Sequence, residues 1–281
     1  MIWLLAWLAA TPAPPSPSPG EQLFAQRLDP VALDRALEAL ADEAAKDPKG
    51  YRPRVLLARA EAFWTTEHEE ATAEEAAAHL STGVRAAGEA LALVCPAYAK
   101  LSAEGKTLLG DLSTVEKPGA EALYWIAVDQ HLLAAAHGLS WLLLEEGDLR
   151  RLFERVVDLA PATWYGGAYL HLAELDLALP TGFGAGLNPV AAELATAARL
   201  GPAMLETHLA WAGRWAVKAQ DYRVFLRELS IIRKAPLDRD PAIQPENELT
   251  RRKAEELAAG APELFTRVAM SSVRDAGSPS R

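Results

Sequence analysis

The stretches LRRLFERVVDLAP (149–161), VAAELATAARLGP (190–202) and FLRELSIIRKAP (225–236) end in the same way, with a short turn and a proline. Each carries small and apolar residues at helical spacing, and proline cannot continue a helix, so each proline opens a new segment. The third stop, Pro236, follows the second, Pro202, at the spacing of about 34 residues that is typical of tetratricopeptide (TPR) hairpins. This spacing predicts stacked pairs of helices.

The interval from Pro161 to Pro202 is longer than the one from Pro202 to Pro236. Its surplus is assigned to the glycine-rich stretch LPTGFGAGLN (179–188), as an insertion between two paired helices. One hairpin cannot bury its own apolar face, so neighbouring hairpins must stack into a continuous core. The sequence therefore predicts an all-α fold, a TPR-like helical hairpin array that forms either an α-solenoid or a closed helical bundle.

The composition favours a helical fold and excludes nucleic acid as a partner. Half of the 281 residues are hydrophobic, which is enough for a large core, and β-branched residues are sparse and scattered. The net charge of −10, without a Lys/Arg cluster, excludes nucleic acid as a partner. The single cysteine, Cys95, can form neither an internal disulfide nor a metal knuckle, so we expect a buried structural thiol.

The first twenty residues differ from the rest of the chain. Residues 1–10 (MIWLLAWLAA) form a short apolar run, and residues 11–20 (TPAPPSPSPG) form a spacer that cannot be helical. The run is too short to span a bilayer and is typical of an export signal. We expect a signal peptide and Pro-rich linker over 1–20, a helical domain over 21–267 and a disordered tail over 268–281.

Apolar periodicity predicts where the helices lie. The segment 121–144 is the most apolar, but Asp129 and His131 interrupt it, and only 132–144 is free of charge. A membrane-spanning helix needs about 20 apolar residues, so this shorter part is more typical of a buried core helix. The chain is predicted to turn helical from Glu21, with an apolar stripe from Pro30 onward and an end at Lys46. The later predicted helices are 54–64, 73–101, 121–144, 149–159, 163–179, 189–200, 205–219, 222–234 and 247–257.

Several short motifs are distributed along the helical part of the chain. They are ALYW (122–125), GDLRRLFERVVDLAP (147–161), Leu179-Pro180 before the glycine-rich insertion, ETHLAW (206–211) and PENELTRRKA (245–254). Together these motifs resemble the TatT-component family of TRAP transporters, and the resemblance covers roughly residues 21–267.

The resemblance implies a non-enzymatic accessory protein of solute uptake. Members of that family are exported, all-helical, TPR-like proteins that pair with the periplasmic solute-binding protein of a TRAP transporter and handle an apolar ligand. The expected location is therefore the periplasm, and the expected partners are that solute-binding protein, a hydrophobic small molecule and a second copy in a homo-oligomer. Some relatives are lipoproteins, whereas no cysteine lies near the end of the apolar run here. The alternative is a cytoplasmic TPR-like scaffold for protein–protein interaction, in which the N-terminal run is only a tail.

Aromatic residues are the main candidates for ligand contact. Most tryptophans, including Trp211 and Trp215, are expected in the core, as in other TPR-type packing. The segment WYGGAY (164–169) follows a helix-stop proline and combines aromatics with glycines that allow close backbone approach, so it is predicted to line an apolar mouth. The loop 181–188 lacks the Lys-Ser/Thr ending and the preceding strand of a phosphate-binding loop. The candidate ligand-binding residues are Trp125, His137, Trp141, Trp164, Tyr165, Tyr169 and Phe183.

The histidines do not predict a metal or catalytic site. His131 and His137 lie about 240° apart around a helix, so they cannot share one ligand site. His171 and Glu174 are three residues apart and could hydrogen-bond, but two groups do not make a metal site. With no nucleophile and base that can be paired by spacing, we predict no catalytic residue, metal or cofactor. His131, His137 and Asp129 would supply selectivity if they face a cavity.

Overall fold

Helices account for most of the part of the chain that the computed structural model describes, residues 16–180 and 186–266. Within those residues there is no strand, which confirms the all-α prediction. The helices are α1 (Pro19–Phe24), α2 (Pro30–Lys46), α3 (Tyr51–Glu67), α4 (Ala73–Val94), α5 (Pro96–Ala103), α6 (Ala120–Ala136), α7 (Leu139–Leu159), α8 (Gly167–Ala178), α9 (Leu187–Leu200), α10 (Glu206–Ala210), α11 (Val217–Ala219), α12 (Tyr222–Lys234), α13 (Gln244–Ala259) and α14 (Ala261–Leu264).

The proline stops lie where the sequence predicts helix ends. Helices α7, α9 and α12 end two residues before Pro161, Pro202 and Pro236. The glycine-rich insertion falls between the paired helices α8 and α9, although its residues 181–185, which include Phe183, lie outside the described part of the chain. The predicted export signal at 1–10 and the tail at 268–281 also lie outside it. None of the described helices is both long and apolar enough to span a bilayer.

The predicted helix 73–101 is wrong at one point, because it is broken in the middle. Helix α4 ends at Val94 and α5 begins at Pro96, and between them Cys95 has the non-helical angles φ −124° and ψ 87°. Proline has no N–H to donate and disfavours helical angles in the residue before it. Cys95 is fully buried at this joint, as predicted.

The predicted helix 121–144 is also wrong, because it belongs to two helices. Helix α6 ends at Ala136, and Gly138 adopts φ +98°, a conformation that favours glycine. Helix α7 then begins at Leu139 and continues through the segment predicted as a separate helix from 149. The expectation of a central buried helix holds for α6, where every residue from 122 to 129 is buried.

The C-terminal helix α13 returns to the N-terminal hairpins and closes the array. Glu246 of α13 accepts hydrogen bonds from Arg27, which lies 219 residues earlier, and from Nη2 of Arg59 on α3 at 2.8 Å. The Arg27 side chain is only 3% exposed. A second ion pair joins Arg252 of α13 to Glu67 of α3. These contacts favour the closed-bundle form of the predicted array.

Helices α4 and α6 approach each other closely at Gly83 and Asp129. A Cβ atom on Gly83 would lie 2.2 Å from Oδ2 of Asp129, so only glycine fits there. Asp129 is fully buried, and neither carboxyl oxygen has a hydrogen-bond partner among the described residues. Burial, with a contribution from Glu61, raises the pKa of Asp129 well above its ordinary value, which favours the neutral acid in the folded protein.

Replacing Glu246 by glutamine removes the counter-charge of buried Arg27 and of Arg59, whose side chain is 11% exposed. We expect Glu246→Gln to lower the free energy of unfolding by about 3–5 kcal/mol, because an unpaired buried charge is costly. Arg252→Gln breaks an ion pair between the same two helices, but the Arg252 side chain is 54% exposed, so its loss should be below about 1 kcal/mol. Urea unfolding of both variants measures the two losses of unfolding free energy. If both losses are small and similar, the closed array does not depend on Glu246.

The buried carboxyl of Asp129 makes stability depend on pH. Because its pKa is higher in the folded than in the unfolded protein, stability should fall as pH rises above the unfolded value of about 4. Asp129→Asn cannot ionise, so the difference between its melting temperatures at acidic and mildly basic pH should be smaller than in the wild type. Thermal unfolding at several pH values measures this. The control Asp42→Asn changes a side chain that is 74% exposed and should keep the wild-type pH dependence; a wild-type profile in Asp129→Asn would refute this account.

Candidate functional site

A cavity of about 730 Å³ lies inside the closed array, a volume typical of a small-molecule site. Its walls come from α3, α6, α8, α10 and α13, with contributions from α7 and α14. One part of the lining is apolar and includes Ala62, Phe63, Trp125, Val128, Leu132, Ala135, Leu142, Trp164, Leu209, Leu249 and Leu257. The other part is charged or polar and includes Arg59, His131, His171, Glu174, Glu206, Arg214, Glu246 and Lys253. The cavity is therefore amphipathic, with a larger share of charged groups than the few polar side chains that the sequence suggested.

Two predicted aromatic residues, Trp125 and Trp164, form a wall of this cavity. Their ring centroids are 5.0 Å apart with an interplanar angle of 62°, close to the edge-to-face arrangement that aromatic rings prefer. The Arg59 guanidinium lies 4.1 Å from the centroid of the Trp164 ring, within cation–π range. The same arginine is paired with Glu246, so the closing ion pair and the aromatic wall are in contact.

A left-handed turn brings Trp164 to the wall. Trp164, Tyr165 and Gly166 have φ values of 44°, 55° and 77°, and the first two are unfavourable for residues with a Cβ atom. Tyr165 is held by its hydroxyl, which donates to Oδ2 of Asp240 at 2.6 Å. A Cβ atom on Gly201 would lie 2.3 Å from the Tyr165 carbonyl oxygen, so glycine is required on the opposite side.

The other predicted ligand-binding residues that the structure describes lie away from the cavity wall. Tyr165 is bonded to Asp240, and Tyr169 packs against the core between α8 and α9. His137 and Trp141 are exposed side by side, with ring centroids 5.1 Å apart, beyond the end of α6. Of the three residues expected to give selectivity, His131 lines the cavity, while Asp129 is enclosed between α4 and α6.

Two histidines and a glutamate form a cluster on the cavity wall. His131 projects from α6, and His171 and Glu174 project from α8. Nδ1 of His131 lies 3.3 Å from Nδ1 of His171, which in turn lies 3.1 Å from Oε2 of Glu174. Phe153 of α7 stacks on the His171 ring at 4.9 Å and fixes its orientation. The i, i+3 pair on α8 was visible in the sequence, but its approach to His131 was missed.

The surroundings of this cluster favour the neutral form of His131 and the ionised form of Glu174. Burial and the neighbouring His171 lower the pKa of His131 to about 3. Burial alone would favour the neutral form of Glu174, but the Arg214 guanidinium, whose Nε lies 3.3 Å from Oε1, and His171 hold the pKa of Glu174 below its ordinary value. Burial and the nearby Glu174 raise the pKa of Glu206, which faces the same cavity from α10.

Arg214 reaches the cluster from a π-helical segment that the sequence did not reveal. The residues Trp211–Ala216 between α10 and α11 form this segment, within what was predicted as a regular helix over 205–219. π-helical segments occur often at functional sites. Here the segment carries both Gly213 and Arg214 on the cavity lining.

Comparison with known proteins identifies the family. No curated protein matches the chain. The family model described as TRAP transporter T-component matches residues 36–265, well over half of the chain. T-components are accessory components of a transporter, and the match confirms the resemblance inferred from the short motifs. The chain therefore belongs to the TRAP transporter T-component family.

Proposed function

We propose that this protein binds a small, largely apolar molecule in its central cavity and exchanges it with the periplasmic solute-binding protein of a TRAP transporter. The observation that carries the proposal is the cavity of about 730 Å³ inside the array, bounded on one side by the aromatic wall of Trp125 and Trp164. Pockets of about 300–1,000 Å³ with mostly apolar walls and a few polar groups are typical of small-molecule sites. The protein would act by binding and hand-off, without catalysis.

The two parts of the lining suggest how a ligand would be oriented. Val128, Leu132 and Leu249 would contact its apolar body, and burial of that body would supply most of the affinity. The histidines and Glu206 would contact a polar head group. Polar groups of this kind add selectivity, because a ligand without a matching partner leaves them unpaired.

An exposed apolar surface beside the cavity is the proposed contact for the solute-binding protein. This α7 patch consists of Leu139, Trp141, Leu143 and Leu144, of which Leu144 is 73% exposed. Leu142, in the same turn, is buried and lines the cavity. Contiguous exposed apolar residues often mark interaction sites. Family membership supports a transporter protein as the occupant, and the position beside the cavity suits transfer of a ligand.

A large side chain at the cavity lining should weaken ligand binding without disturbing the fold. Ala135 is exposed and lies on the cavity lining near the end of α6, so Ala135→Trp would block the entrance. We expect it to weaken binding of Nile red, a neutral apolar fluorophore, by at least about tenfold, which is about 1.4 kcal/mol. Fluorescence titration measures the effect. The control Ala97→Trp adds the same side chain at an exposed position on α5, away from the cavity; equal binding by both variants would contradict an internal site.

A charge in the α7 patch should weaken the contact with the solute-binding protein. We expect Leu144→Glu to reduce the affinity for the purified solute-binding protein of the same transporter by at least about tenfold, since a buried unpaired carboxylate is costly. Val31→Glu is the matched control, because Val31 is 65% exposed on α2. Calorimetry measures both affinities.

Sedimentation of the Leu144→Glu protein alone distinguishes a second outcome. If the variant dissociates an oligomer and leaves the affinity for the solute-binding protein unchanged, the α7 patch joins copies of this chain. An affinity that neither variant alters would also overturn the proposed contact.

A further inference from the structure

The cluster of His131, His171 and Glu174 has the dimensions of three ligands around one metal ion. Two ligand atoms that are each about 2.0 Å from a tetrahedral zinc ion lie about 3.3 Å apart. The His131 Nδ1 to His171 Nδ1 distance is 3.3 Å, and the His171 Nδ1 to Glu174 Oε2 distance is 3.1 Å. One ligand atom from each of the three residues lies within 4.8 Å of the other two. Two of the three spacings therefore match those of a tetrahedral zinc site, and the third is at most 4.8 Å.

Nδ1 of His171 contacts both Nδ1 of His131 and Oε2 of Glu174, although it can carry only one proton. A neutral imidazole has one N–H and one bare nitrogen, and a carboxylate has no donor. If Nδ1 of His171 carries the proton and donates it to Glu174, it has no lone pair to accept from His131. If it is bare, its lone pair faces the carboxylate oxygen. Each of the three atoms can present a lone pair to the same point, which is the arrangement that a shared cation requires.

Residues around the cluster contact the three side chains and fix their orientation, as the residues around a metal site do for its ligands. Arg214 contacts the Oε1 atom of Glu174, which leaves Oε2 directed at the histidines. The other ring nitrogen of His171, Nε2, lies 3.4 Å from the Tyr124 hydroxyl. Phe153 stacks on His171 and meets His131 edge-on with centroids 6.1 Å apart. Such groups fix the tautomer and orientation of metal ligands.

We propose that His131, His171 and Glu174 bind a zinc ion on the wall of the central cavity, with the fourth coordination position open to the cavity. Two imidazoles and one carboxylate form a ligand set that suits Zn²⁺, because imidazole binds this ion well and calcium and magnesium prefer oxygen. All three residues line the cavity together with Glu206. A water molecule or the head group of a bound ligand would complete the tetrahedron. The site does not depend on the proposed transport partner.

Metal binding is tested with the metal alone. Protein freed of its purification tag and treated with a chelator is titrated with Zn²⁺ in competition with a chromophoric chelator. We expect one Zn²⁺ per chain, and at least about tenfold weaker binding in both His131→Gln and Glu174→Gln. Co²⁺ should give the intense visible absorption of a four-coordinate site in the wild type, and Zn²⁺ should raise the melting temperature by mass action.

A second histidine–glutamate pair provides the control. His208 Nδ1 lies 2.7 Å from Oε2 of Glu228, and no third metal-ligating group joins this pair among the residues that the structure describes. His208→Gln should bind Zn²⁺ as the wild type does. Lack of stoichiometric binding, a weak six-coordinate Co²⁺ spectrum, or equal weakening by His208→Gln would overturn the proposal. If His131→Gln does not fold, Glu174→Gln and the wild-type Co²⁺ spectrum still decide the matter.

Discussion

Two arginines near the beginning of the chain share one carboxylate near its end, and the closed array depends on this contact. Arg27 is buried and Arg59 is largely covered, so each guanidinium needs a counter-charge, and Glu246 pairs with both. The need for this shared counter-charge fixes the position at which α13 lies against α3. Because residues of both α13 and α3 line the cavity, the ion pairs that join these helices also help to define the space inside the array. Arg59 further contacts Trp164, so charge pairing and the aromatic wall stabilise one another.

The sequence predicted the positions of the helices better than their breaks. Helix ends before Pro161, Pro202 and Pro236 were predictable, because proline acts locally and removes a donor that the helix needs. The break at Gly138 was missed, since apolar periodicity continues on both sides and a glycine within a helical pattern does not reveal its φ angle. The break at Cys95 could have been predicted, because Pro96 follows it, but the apolar periodicity on both sides of the proline was given more weight.

Some residues of the candidate site could be predicted from the sequence, and others could not. Trp164 was predictable because the turn that positions it is encoded by adjacent residues, although its left-handed φ angle was not. The pairing of His171 with Glu174 follows from their spacing on one helix. The approach of His131 was not predictable, because it lies 40 residues away and the rotation of α6 against α8 is set by packing around Phe153. Arg214 was hidden as well, since a π-helical segment changes the direction of its side chain.

The charges on the cavity wall restrict which ligands it can accept. Each cation that lines it in the described part of the chain has an acidic partner: Arg59 has Glu246, Arg214 has Glu174 and Lys253 has Glu69. Glu206 has no hydrogen bond or ion pair within residues 16–180 and 186–266, and a raised pKa favours its neutral form. The wall therefore offers no free cation to a ligand carboxylate. A neutral head group fits this surface directly, whereas an anionic head group requires the positive charge that a metal ion at the histidine cluster would add.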